Sequence, residues 1–89
     1  MNPNVRDSWN LSPDSVRLGA TIREMRVMRG MTQDQLANAA LISRAHLTNI
    51  EAGRKKASLI TISRIALALR VPQISLVAET YPPLEHTAA

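Results

Sequence analysis

Between Ser43 and Ile50 the chain reads SRAHLTNI, and Leu47 and Ile50, three residues apart, mark the inward side of a short helix. At about 100° per residue, Ala45, Thr48 and Asn49 then lie furthest from that side, with Arg44 at the leading end. Each of these side chains has a natural partner on the edge of a base pair. Arg is bidentate to guanine, Asn is bidentate to adenine, and the methyls of Ala and Thr fit the thymine methyl. Taken singly, each also suits a solvated helix face. The basic run Arg54-Lys55-Lys56 just beyond the helix supplies what base contacts alone lack, a group of cations for phosphate oxygens.

Charge along the chain follows the same division. Residues 17–56 hold eight cations (Arg17, Arg23, Arg26, Arg29, Arg44, Arg54, Lys55, Lys56) against Glu24, Asp34 and Glu51, while Glu79 and Glu85 make the end of the chain acidic. A concentrated positive segment on a small domain fits a polyanionic partner. Catalysis and metal binding find no comparable support. His46 and His86 are the only histidines, cysteine is absent and the carboxylates are scattered, so no metal site, cofactor or acid–base pair is expected. His46 adjoins the base-reading face and suits either a phosphate contact or plain solvation.

These side chains need short helices to hold them. Ser12-Pro13-Asp14 starts a first helix expected to run to about Arg29, with Leu18, Ile22 and Met25 as its buried stripe and Gly30 as its stop. Met25, Met28 and Met31 read as core filler. Thr32-Gln33-Asp34-Gln35 fits a capping box for a second helix over 33–40. Ser43 caps a third over 44–51, Gly53 ends it, and Ser58 caps a fourth over 59–69 whose face is Leu59, Ile62, Ile65, Ala66 and Leu69. Pro72 closes the fourth helix and permits a short fifth at about 73–79. Two short helices joined by a tight turn and followed by a basic loop can place one helix across a nucleic-acid backbone and the next in a major groove.

The 89 residues, 45% of them hydrophobic, suffice for one core and one domain. The expected division is an N-terminal arm (1–11), a helical domain (12–79) and a C-terminal tail (80–89). Trp9, in the arm, reads as a plug against the domain surface rather than a base-stacking residue. With no leader-like segment and no run of about 18 apolar residues, the expectation is a cytoplasmic protein without membrane contact.

The stretch 18–78 resembles the XRE family of helix-turn-helix proteins, which includes the lambdoid phage repressors. The resemblance rests on MTQDQLA at 31–37, IEAGRKKAS at 50–58 and IALALRVP at 65–72, with Leu18, Ile22, Ile42 and Leu47 between them. It implies an all-α fold, a compact bundle of five short helices of the lambda-repressor-like type, and sequence-specific binding of double-stranded DNA. By the same resemblance the base-contacting positions fall on Arg44, Ala45 and Asn49, joining Thr48 from the helical geometry. Gln33, Ser43, Arg54, Lys55 and Lys56 would hold the backbone, and Arg26 would pair with Glu51 between the first and third helices. A cationic partner for Glu51 is physically reasonable, because an acid near a helix C-terminus is disfavoured by the dipole. Leu41 stands where the family commonly has Gly. Either the turn keeps a left-handed residue, at about 1–2 kcal/mol, or it is differently shaped.

One such unit reads only a few base pairs, so the resemblance points to a homodimeric repressor on an inverted-repeat operator. Val71, Ile74, Leu76 and Val77 are the candidate dimer surface, and they suit closure of the monomer core equally well. An alternative reading is an antitoxin-like or adaptor protein, which binds DNA and holds a protein partner through its arm or tail.

Overall fold

The computed structural model describes residues 13–77, which form five helices and, among the described residues, no strand. They are α1 (Pro13–Met28), α2 (Gln33–Ala40), α3 (Arg44–Glu51), α4 (Leu59–Leu69) and α5 (Ile74–Val77). The expected all-α bundle and the spans of its middle three helices are as read from the sequence. Arm, tail and Trp9 lie outside the described residues.

Local chemistry accounts for the helix ends. At the start of α2, Thr32 Oγ1 accepts from the Gln35 backbone N–H at 3.1 Å while the Thr32 N–H donates to Gln35 Oε1 at 2.8 Å, closing the capping box. Ser43 and Ser58 cap α3 and α4 through hydrogen bonds from the backbone N–H of His46 (3.0 Å) and Thr61 (3.1 Å). The turn after α2 is left-handed: Leu41 has φ 62°, and Ile42 N–H returns to the Ala37 carbonyl at 3.0 Å. Of the two shapes open to that turn, the strained one is adopted. Arg70 ends α4 in the same way, at φ 61°, with Val71 N–H bonded to the Ala66 carbonyl. The stop therefore lies at Arg70, ahead of Pro72.

Ile22, Leu36, Leu47, Ile50, Ile65 and Leu69 are fully buried, and Ala37, Ala40, Ala57, Ile62, Ala66 and Leu76 complete the core. Among the described residues its buried hydrophobic side chains are all aliphatic, as helix-on-helix packing permits. Leu18 and Met25 are half-buried beside Ile22, whereas Met28 is exposed and fills nothing. Leu59 is 72% exposed, contrary to the expected α4 face. The buried arc runs instead through Thr61, Ile62, Ile65, Ala66 and Leu69, which leaves Leu59 on its flank in the first turn. Thr61 is held inward by the cap, since Ser58 Oγ donates to Thr61 Oγ1 at 3.0 Å.

One close approach sets the position of α3. A Cβ on Gly19 would run into the backbone carbonyl oxygens of Ile50 and Glu51. Only glycine lets α1 pack backbone to backbone against the end of α3.

Candidate nucleic-acid interface

Arg44 and Ala45 are exposed on α3, and Thr48 and Asn49 are half-buried on its outward side. The four expected base-reading residues therefore share one surface. Ser43 is exposed at the leading end; its oxygen accepts the cap bond, and its hydroxyl hydrogen remains available to an anion. Arg44 Nε lies 3.8 Å from Asp34 Oδ1, a solvent-exposed pairing across the turn that composition did not reveal. Such a pair contributes little and is readily exchanged for a better acceptor.

Behind this surface lies a polar cluster. Arg26 Nε donates to Glu51 Oε2 at 2.7 Å and Arg26 Nη2 to Glu51 Oε1 at 3.1 Å, a bidentate pair joining α1 to α3. Both side chains are nearly sealed from solvent, at 11% and 3% exposure. Arg26 Nη1 also donates to the Met31 carbonyl at 2.8 Å, tying the end of α1 to the same cluster. Gln33 joins it from α2: its Nε2 donates to Glu51 Oε1 at 3.0 Å, and its Oε1 accepts from Thr48 Oγ1 at 3.1 Å. One amide thus spans the buried ion pair and the expected base-reading face. Sequence reasoning placed Gln33 on a phosphate and Thr48 on a base, and missed the bond between them. Its one signal was the polarity of two residues whose helices the tight turn holds together.

At the far end of α3, Gly53 N–H donates to the Ile50 carbonyl and Arg54 N–H to the Asn49 carbonyl, each at 3.0 Å. This is a Schellman closure, with Gly53 as the left-handed residue at φ 78°. A Cβ there would also stand 2.9 Å from Val16 Cγ2. The closure brings Arg54 back over the helix, where its Nε donates to Asn49 Oδ1 at 3.2 Å. Lys55 and Lys56 follow, both exposed, in the loop before α4.

His46 is half-buried, and its Nε2 is buried without a hydrogen-bond partner, so that nitrogen points neither to solvent nor to an approaching phosphate. No group of three or more His, Cys, Asp or Glu side chains able to hold a metal occurs among the described residues, and none of their helices is long and apolar enough to cross a membrane.

The candidate dimer residues divide. Ile74 and Val77 are exposed, and Val71 is half-buried against the core. Leu76, at 4% exposure, belongs to the monomer core and is withdrawn from that surface. Its burial follows from the short α5 lying against α1. The arm and the tail, on which the adaptor reading depends, lie outside the described residues.

The helix-turn-helix family matches residues 22–72, from the middle of α1 through Pro72. The 10 kDa protein of the ImmF control region of Bacillus phage phi105 is 38% identical over 58 residues, which are 65% of this chain and 64% of that protein. The immunity repressor protein of the same phage is 39% identical over 62 residues, 70% of this chain and 43% of the repressor. The chain thus spans less than two thirds of either phage protein. The crystal structure of the restriction-modification controller protein C.AhdI from Aeromonas hydrophila superposes with a TM-score of 0.70 at 32% identity, over 71% of this chain and 96% of that one.

Proposed function

The chain belongs to the helix-turn-helix family of the XRE type, and from that premise we propose that it is a sequence-specific transcriptional repressor which binds an inverted-repeat operator as a homodimer. The observation that carries this reading is the outward face of α3. Arg44, Ala45, Thr48 and Asn49 share it, with the capped start of the helix on one side and Arg54, Lys55 and Lys56 on the other. In a major groove, Arg44 and Asn49 would take guanine and adenine edges, and Ala45 and the Thr48 methyl would lie against thymine methyls. Ser43, the second amide hydrogen of Gln33 and the three cations of the loop would hold phosphates. Occlusion of promoter DNA then regulates transcription without any catalytic step. The site of action is the cytoplasm, on the nucleoid.

Sequencing the fragments that the purified protein retains from its own sheared genomic DNA tests this reading. The expected outcome is a shared inverted repeat with half-site centres about 34 Å apart, one helical turn. Retention of random fragments, or of none, would overturn it.

A further inference from the structure

We propose that Arg54 is a positioning residue for base recognition, holding the Asn49 amide in the orientation that reads adenine; the inference rests on α3 being the base-reading helix. Two bonds from one residue carry it. The Schellman closure places the Arg54 N–H on the Asn49 carbonyl, and the side chain then reaches back to put Nε on Asn49 Oδ1. Gly53 secures the geometry, since its φ of 78° would strain any side chain and a Cβ there would stand 2.9 Å from Val16 Cγ2. Arg54 is therefore delivered to Asn49 by the helix terminus itself, not by a freely moving loop.

The chemical consequence lies in what Asn49 has left to offer. A side-chain amide carries one oxygen with two lone pairs and one nitrogen with two hydrogens, and its two ends are nearly alike in shape. Left alone on an exposed face, it can present either end to a base. Reading adenine requires the oxygen opposite the N6 amino group and the nitrogen opposite N7. Arg54 Nε takes one lone pair of Oδ1, which fixes the oxygen on the loop side and leaves the second lone pair for N6. A turned amide would set N–H against N–H, both at Arg54 and at the adenine. The guanidinium keeps its Nη groups for phosphate, so the same residue that grips the backbone also sets the polarity of the base reader. Lysine has a single nitrogen, without the fork that serves phosphate and Asn49 from separate atoms.

The test uses the full chain and a duplex selected by it from a random pool. The base pair read by Asn49 is identified as the one where Asn49→Ala loses discrimination. In the unaltered protein, A·T is expected to be favoured there over G·C by roughly tenfold or more. In Arg54→Lys, whatever its overall affinity, the ratio of A·T to G·C binding at that base pair alone is expected to fall to about twofold, with the ratios at the other positions of the site kept. Placed on Asn49→Ala, Arg54→Lys should change nothing further at that position. Full discrimination in Arg54→Lys, or a further loss in the Asn49→Ala background, would overturn the inference and leave the DNA-binding reading intact. A wild-type protein that selects no duplex from the pool would overturn both.

Discussion

Glu51 sits where an acid should be unwelcome, at the carboxyl end of a helix and almost out of water, and three donors make its position tenable. Removing it leaves the Arg26 guanidinium buried with only the Met31 carbonyl. Glu51→Ala is therefore expected to destabilise the fold by about 3–5 kcal/mol in urea denaturation. A double-mutant cycle with Arg26→Ala should show strong coupling, and additive losses would reject the pairing. On the opposite side of the same helix, Arg44→Ala and Asn49→Ala should each weaken the preferred DNA site by about 1–3 kcal/mol while affinity for random DNA is unchanged, as titration on the two duplexes would show. Both sets of residues were legible in the sequence, the outward set from helical spacing and the ion pair from family resemblance. The bonds of Gln33 to Glu51 and Thr48 were not, because they depend on how two helices meet, and spacing along either helix carries no record of that.

Among the elements, the middle helices follow from their caps: Thr32, Ser43 and Ser58 each occupy the position their chemistry favours. The stops are less evenly written. Gly53 announces its turn, but Leu41 and Arg70 adopt the same left-handed conformation with side chains that disfavour it. Type alone therefore could not reveal Arg70, and for Leu41 it left two turn shapes open. Leu41 is 74% exposed, so little packing is lost on replacing it. Relief of about 1–2 kcal/mol of strain exceeds the added chain entropy of glycine, and Leu41→Gly should raise stability by up to about 1 kcal/mol, seen as a higher melting temperature. No change, or a fall, would show that the turn carries no strain. Gly19 was unremarked in the sequence for a related reason, since its role belongs to the distance between α1 and α3. Gly19→Ala should destabilise by about 1–3 kcal/mol as the two helices are forced apart, and a melting temperature equal to that of the unaltered chain would contradict the close approach.

For the whole molecule the open matter is assembly. With Leu76 in the monomer core, the candidate dimer surface reduces to Ile74 and Val77 with the half-buried Val71 beside them. Ile74→Asp is expected to abolish cooperative binding to an inverted repeat while leaving the helical circular-dichroism signal and the melting transition of the monomer in place. Loss of the monomer fold would instead assign Ile74 to the core. The basic loop answers to a different measurement: Lys55→Ala or Lys56→Ala should weaken all duplexes alike and lower the slope of log K against log salt by about 1. An unchanged slope in both would take the loop out of the interface. Finally, the bond from Thr48 to Gln33 divides the outward face of α3 by how freely it can be rewritten. Arg44 and Ala45 are exposed, and among the described residues the Asn49 side chain is tied to the exposed Arg54, so these positions can change with little penalty in folding. Thr48 cannot, because its exchange also strips a partner from the amide that steadies Glu51. If this face reads bases as proposed, a lineage that retargets it should therefore alter three of the four residues independently, and the fourth only in step with residue 33.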